Sequence, residues 1–272
     1  MVGNVLATSF RSWVRNFPRF FLLTVIAYVP IIAFYLLLLN DRIGEVVGWV
    51  FNWYTQLHPA LRHDTPGLAW IPFGIFNGAI AVCIVGQLRD ERVSIWRALA
   101  IALRHAHWIV AIALLARVAT TLPITLIEIA RWDDQRWLRG RSELTMAAYA
   151  AISIAITSYV VCALPAAAVE RRKLAGAFVR AWRVVRGERW KVLVVVLVHY
   201  ALTFAISMTL FYGILVRAVN YGSDRIMLYS YLRFGIEILM LPLAPIIAAV
   251  LFERLRAAKE GPAETQLQRI FD

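Results

Sequence analysis

Six separate stretches of this 272-residue chain are apolar over roughly the 18 or more residues that a helix needs to cross a bilayer. In hydrocarbon the backbone must satisfy its own hydrogen bonds, and a helix does so within each segment. The spacing predicts spans at about 18–39, 67–88, 107–130, 144–169, 190–216 and 227–252. Composition agrees: 61% of residues are apolar and the mean hydropathy is +0.65, where soluble domains run nearer 45–50% apolar. No polar stretch is long enough for a separate soluble domain. The expected fold is all-α, a polytopic membrane protein with six transmembrane helices forming one domain over 1–261, then a tail at 262–272. The first apolar run follows Arg11, Arg15 and Arg19 with no small-residue cleavage site, so it reads as a retained span.

Between the spans lie basic amphipathic segments. In Glu170–Lys191, Leu174, Ala177, Phe178, Ala181, Trp182 and Val185 share one helical arc, with Arg172, Lys173, Arg180, Arg183 and Arg186 opposite. A basic amphipathic helix between two spans should lie in the headgroup plane, apolar face down and cationic face toward anionic phosphates. Residues 89–106 form a second such elbow, with Arg97 and Arg104 on its polar side. Residues 2–17 form a first, with Arg11 and Arg15 pointing away from Val2, Val5, Leu6, Ser9, Phe10, Trp13 and Phe17. The second and third elbows align at an offset of 79, pairing Cys83 with Cys162, Glu91 with Glu170, Arg92 with Arg171 and Arg104 with Arg183. The unit is one elbow plus two spans, repeated three times over about 1–89, 90–169 and 170–261.

The formal net charge of +12 is placed at span ends. The N-terminus, the two later elbows and the tail carry 19 Lys and Arg, against 8 in the three opposite loops. The larger count marks the cytoplasm, which puts both termini inside. No recognised nucleic-acid motif accompanies the charge, so membrane lipid is the expected partner rather than nucleic acid.

Pro165-Ala-Ala-Ala-Val-Glu170, Ala177, Arg180-Ala-Trp-Arg-Val-Val-Arg-Gly187 and Trp190 form a recurrent bacterial pattern: a span ending in proline, a linker, an amphipathic helix and a new span. Pro242, Pro245 and Phe252-Glu-Arg-Leu-Arg with Lys259-Glu-Gly261 form a matching close. These motifs, over about a third of the chain, resemble the membrane domain of membrane-anchored glycerophosphodiester phosphodiesterases and the YciC-type inner-membrane proteins. Ala181 stands where that pattern has serine and Phe252 where it has tyrosine. The soluble phosphodiesterase barrel and its catalytic residues are missing. The resemblance implies a six-span, lipid-proximal module and no phosphodiesterase activity.

Candidate chemistry is sparse. No HExxH, P-loop, GxSxG or paired-cysteine metal site occurs, and no metal or cofactor is expected. Cys83 and Cys162 read as small buried hydrophobes. His105 and His107 fall about 200° apart on a helix, a poor shared ligand set. His58 and His63 near Asp64 lie in an outer loop, and Asp133 and Asp134 face different ways. The informative polar residues are within spans: Arg117 in span three, Glu237 and Arg233 in span six, and His199 in span five, with Asn77, Thr120 and Thr121 able to extend a network. A charge at membrane depth costs roughly 2.5–3.5 kcal/mol, so Arg117 and Glu237 are expected to face each other across the bundle interior. They form either an interhelical ion pair or the lining of a polar cavity.

Three function classes fit. The first is a non-enzymatic membrane module contacting anionic lipid headgroups through Arg11, Arg15, Arg97, Arg104, Arg172, Lys173, Arg180, Arg183 and Arg186, with a membrane-protein partner or a second copy, serving envelope lipid homeostasis, export or resistance. The second is a transporter or transporter subunit with Arg117 and Glu237 in its path. The third is an intramembrane enzyme acting on a lipid headgroup. The topology is testable directly. Single cysteines at Ser142 and Ser223 in a cysteine-free background should label from outside the cell, and one at Lys173 only from inside; the reverse pattern would overturn the orientation.

Overall fold

The computed structural model describes residues 1–38, 70–130, 142–210, 235–236 and 238–261. Side chains are described over the same segments except 30–38, 70, 117, 120–130, 142–150, 207 and 210. Among the described residues the chain is helical throughout. In order come α1 (Val2–Arg15), α2 (Phe17–Leu38), α3 (Trp70–Leu88), α4 (Ile95–Arg104), α5 (Ala106–Ala130), α6 (Ser142–Val160), α7 (Ala163–Val169), α8 (Leu174–Val185), α9 (Arg189–Leu210) and α10 (Leu243–Glu260). Four segments are long and apolar enough to cross a membrane: Ile71–Leu88, Ala151–Val169, Arg189–Ile206 and Ile238–Glu260. The bent pair α4–α5 makes a fifth if counted as one span. Phe17–Val29 is a shorter apolar helix. The loop histidines His58 and His63 and the pair Asp133–Asp134 lie outside the described residues.

The bundle is built around α3 and α10. Helix α3 packs against α2, α4, α5, α7 and α10, and α10 against α1, α3, α7 and α8. Their facing surfaces supply Ala79, Ile80, Ile84 and Val85 on one side and Ile246, Ala249, Val250, Phe252 and Leu255 on the other, all buried. Small residues set the closest approaches, as they do wherever helices meet without water between them. Gly74 and Gly78 lie one helical turn apart on the face of α3 turned to α5. A Cβ on Gly74 would sit 3.3 Å from Ala113 Cβ, and one on Gly78 would sit 2.9 Å from Ile109 Cδ1. By contrast α9 is peripheral, with Leu202 and Phe204 turned outward and Phe204 63% exposed.

The three amphipathic segments expected from the sequence are α1, α4 and α8, each followed directly by a long apolar helix. Two of the three junctions have the same local geometry. Asn16 closes α1 at φ −107°, ψ 14°, and His105 closes α4 at φ −112°, ψ 16°. In both, the capping side chain reaches the carbonyl four residues back: Asn16 Nδ2 donates to Ser12 O at 2.9 Å, and His105 Nδ1 lies 3.0 Å from Ile101 O. Against a carbonyl that nitrogen must carry the proton. The turn between α4 and α5 bends the chain by 79°. The third junction instead uses Gly187, at φ 92°.

Two span breaks share one cause. Proline lacks an N–H and crowds the carbonyl four residues earlier. Pro165 interrupts the helix at Val161–Cys162, between α6 and α7, and Pro245 interrupts it at Leu241–Pro242, ahead of α10. Helix α2 continues through Pro30.

Gly78→Leu should drive a branched side chain into Ile109 and cost about 1–3 kcal/mol by overpacking. Gly3, with nothing within 4 Å of its notional Cβ, should accept alanine with little change. Thermal unfolding of the detergent-solubilised protein compares the two.

Candidate functional site

Charge collects at the end of the bundle where α3, α7 and α10 terminate and α4 and α8 begin. Glu253, two and a half turns into α10, is held by two arginines. Arg89 Nε and an Arg89 terminal nitrogen donate to its two carboxylate oxygens at 3.1 and 2.8 Å. Arg256, one turn further along α10, donates to the same oxygens at 3.2 and 2.6 Å. Glu253 and Arg256 are both buried. A second cluster inverts the signs. Arg180, from α8, forks onto Glu170 at 2.8–3.1 Å and onto both oxygens of Glu260 at the end of α10. Its side chain is 12% exposed. These hydrogen bonds, the one to Glu260 foremost, outweigh the effect of burial and raise the Arg180 guanidinium above its ordinary value.

The two clusters complement each other. One carries two arginines on one glutamate and the other two glutamates on one arginine, so together they are neutral. Glu253 and Glu260 are seven residues apart, about two turns on the same side of α10 and ~10 Å along its axis. Lys259 adds a third tie, its Nζ donating to Arg183 O at 2.8 Å and also to Arg186 O, where α8 ends with unsatisfied carbonyls. From apolar run length, span six is expected to close at 252. The helix instead continues to Glu260 and stops at Gly261, φ 82°, because these charges are paired inside the protein.

The amphipathic helices also differ from expectation in what covers their apolar faces. Ala98 and Ala102 on α4, Ala177, Ala181 and Val185 on α8, and Val5 and Ser9 on α1 are buried against neighbouring helices. Small residues permit that contact. Several larger apolar residues point outward instead: Phe10 and Val14, Trp96 and Leu103, Val179 and Trp182, with Trp96 67% exposed, while Leu6, Trp13, Leu99 and Phe178 pack partly buried against the core. Trp182 lies beneath Arg189, whose guanidinium carbon is 4.1 Å from its ring centre, and stacks on Tyr159 at 5.5 Å. Trp190, 75% exposed, follows. Exposed tryptophan and tyrosine with adjacent cations form the kind of belt found at a membrane–water boundary.

Of the arginines and lysine expected to face headgroups, Arg11, Arg15, Arg97, Arg104, Arg172, Lys173, Arg183 and Arg186 are exposed. Arg172 also lies 3.5 Å from Glu170. Arg180 departs from that set: it is turned inward and both edges of its guanidinium are occupied.

Two cavities open at this end and share the linker residues Glu91, Arg92 and Val93. One, of about 790 Å³, lies between that linker and the α1–α2 junction, where Arg15, Asn16 and Arg19 meet Gln87 and Asp90. Asn16 and Gln87 exchange amide hydrogen bonds at 3.1 and 3.3 Å across it. The other, of about 410 Å³, lies between the linker and the end of α7. The linker is shaped by a left-handed turn at Asp90, φ 58°, that closes α3 through Glu91 N–H to Gly86 O at 2.8 Å.

The polar site expected within the spans is mostly outside the described residues: Arg233, Glu237 and the side chain of Arg117, with those of Thr120 and Thr121. His199 is on α9, its Nδ1 buried without a hydrogen-bond partner among the described residues. Asn77 lines a cavity of about 280 Å³ shared with Thr157 and Tyr200, whose hydroxyls are 3.2 Å apart. His105 is spent on its capping bond, and His107 stands 4.8 Å from the Trp108 ring. Among the described residues no group of three or more His, Cys, Asp or Glu could hold a metal ion.

Comparison with protein-family models, with curated proteins and with solved structures finds no match. The paired residues Arg89, Glu253, Arg256 and Glu260 are absent from the candidates drawn from the sequence. One local signal pointed to them: Glu253 and Arg256 stand three apart, a spacing that puts opposite charges in reach on one helix. Their partners across the fold, Arg89 and Arg180, carry no such signal.

Arg180→Met should strand two carboxylates and cost on the order of 3 kcal/mol. Arg180→Lys should recover only part of it, since a single ammonium cannot fork onto both. Chemical denaturation in detergent micelles reads both; a full rescue by lysine would show that charge alone, not the fork, matters.

Proposed function

We propose that the chain is a six-span, non-enzymatic membrane module of the bacterial inner membrane, with both termini cytoplasmic, whose amphipathic layer binds anionic lipid headgroups and provides a seat for a membrane partner or a second copy. The observation that carries the reading is the composition of that layer. Its exposed surface holds Arg11, Arg15, Arg97, Arg104, Lys173, Arg183 and Arg186 beside outward-facing Phe10, Trp96, Leu103, Trp182 and Trp190. Cations next to large exposed apolar rings suit one environment, the headgroup region over the edge of the hydrocarbon. The 79-residue offset supports the threefold repeat. Ser94 and Lys173 cap α4 and α8, whose first residues, Ile95 and Leu174, are also 79 apart. The motif resemblance to the membrane domains of anchored phosphodiesterases and YciC-type proteins points the same way. A role in envelope lipid homeostasis, export or resistance follows as the setting for such a module.

One observation favours a second reading, a transporter or transporter subunit. The cavity around Asn77, Thr157 and Tyr200 lies among α3, α5, α6, α7, α9 and α10, and these three side chains place polar groups in an otherwise apolar lining. Polar groups gathered between spans mark pathways as well as structural networks.

Reversing the charge of Arg104, Arg183 and Arg186 should weaken selection of anionic over zwitterionic lipid by about 1 kcal/mol per residue. Tryptophan quenching by brominated phosphatidylglycerol, against brominated phosphatidylcholine, in reconstituted vesicles measures that selection. Arg136 and Arg139, reversed together, should change it far less. Equal effects would remove the layer's special role.

A further inference from the structure

We infer that the 410 Å³ cavity between the 89–94 and 170–173 linkers is a discrete site for one phosphate group, held by Arg92, Arg97 and Arg171. The inference deepens the lipid-binding reading and rests on it for the source of the phosphate, though not for the site itself.

The first support is charge. Four arginines line the cavity, and only Arg89 is committed, to Glu253. Arg92, Arg97 and Arg171 have no ion pair among the described residues, and one carboxylate, Glu91, shares the lining. Three unpaired guanidiniums converging on one hollow repel one another and attract an anion. Arginine forks match phosphate oxygens two at a time.

The second support is a comparison inside the chain. Position 180 is the seventh residue of α8, and position 101 is the seventh of α4. At the first, Arg180 fills its linker region by pairing with Glu170. At the second stands Ile101, which lines the cavity, and Glu91, the counterpart of Glu170, has no arginine partner among the described residues. The same supersecondary unit is therefore closed by an ion pair in one copy and left open in the other. Ile101 replaces the residue that would have plugged the hollow.

The third support is backbone. Arg171 is held at φ 54°, a left-handed conformation that is unfavourable for a residue with a Cβ and that glycine would adopt freely. That backbone turn sets Arg171 in the lining of the cavity.

The wall selects the source. Below the arginines the lining is Val82, Val85, Ile101, Ala168 and Val169. From Arg89 down to Val82 is seven residues, ~10 Å along a helix axis. The hollow thus grades from guanidinium to hydrocarbon within one phospholipid headgroup's depth. Glu91 offers an acceptor to a headgroup hydroxyl or ammonium. A lipid phosphodiester fits this gradient; free phosphate would use the rim alone.

The test uses the full-length protein in detergent, with native mass spectrometry during titration by dioleoyl phosphatidylglycerol and, separately, dioleoyl phosphatidylcholine. One phosphatidylglycerol should bind ahead of the rest. Arg92→Ala with Arg97→Ala should weaken that first event by about tenfold per arginine, as expected for one charge-assisted contact each. Ile101→Glu should do the same while leaving every arginine in place, and its carboxylate, four residues from Arg97 on α4, keeps the helix supplied with a compatible pair. Inorganic phosphate is the second arm. Protection of the wild type from thermal unfolding by phosphate but not by chloride of equal ionic strength, lost in both variants and without a first-bound lipid, would assign the site to a soluble phosphate. A first-bound lipid that persists unchanged in both variants, with no phosphate protection, overturns the site. Arg183→Ala with Arg186→Ala should leave the first event intact while lowering lipid selection in vesicles. If vesicle selection proves insensitive to charge yet the tight lipid survives in wild type and is lost in the cavity variants, the layer-wide reading fails and the site stands.

Discussion

The charged half of α10 holds the amphipathic end of the molecule together. Glu253 anchors the exit of α3 through Arg89, Glu260 anchors α8 through Arg180, and Lys259 closes the carbonyl end of α8. Each contact joins segments far apart in sequence. Taking such groups out of water is costly, and a buried ion pair returns that cost only with good geometry and full hydrogen bonding. Here both arginines fork, and the Glu253 carboxylate accepts four hydrogen bonds. The arrangement does more for specificity than for raw stability: apolar helices slide over one another at little cost, while a forked pair is satisfied at one register only.

That constraint explains why the amphipathic helices have three faces. With α8 pinned to α10, and α4 drawn in by the linker turn at Asp90, Ala98, Ala102, Ala177 and Ala181 lie against the bundle, Leu99 and Phe178 pack beside them, and Trp96, Leu103, Val179 and Trp182 are left outside. The helices therefore do not float in the interface on their own apolar faces. They are built into the protein and present tryptophan, leucine and arginine outward from a fixed platform. A backbone fixed in this way lowers the ordering cost of any binding at that surface.

The same rigidity gives meaning to the asymmetry between α4 and α8. Under the proposed repeat the two helices correspond, with one linker region sealed by Arg180 and the other left open at Ile101. Among repeated membrane architectures, sites tend to lie where repeats meet, and the open recess is between the linkers of the second and third units.

Much of this was legible in sequence. Apolar run length alone determined the helical class and placed the start of α2, the end of α3, the start of α5 and the end of α7 within a residue or two, since a helix in hydrocarbon has no alternative way to satisfy its backbone. Spacing at three and four determined α1, α4 and α8, because amphipathic periodicity is a local property. The cationic residues at the span ends could be read off, and so could the prolines behind the two breaks. Tertiary structure decided which charges face out. Arg180 and Arg183 share a helix face by periodicity, yet one is enclosed between two carboxylates and the other exposed, and the difference lies in Glu260, eighty residues away. It decided likewise that Glu253 to Glu260 continue a helix, and that Ala177 and Ala181 are fully buried while Trp182 on the same arc is left half exposed. Periodicity orders residues around one axis. Which arc of that axis is covered depends on neighbours, and long-range ion pairs chose those neighbours.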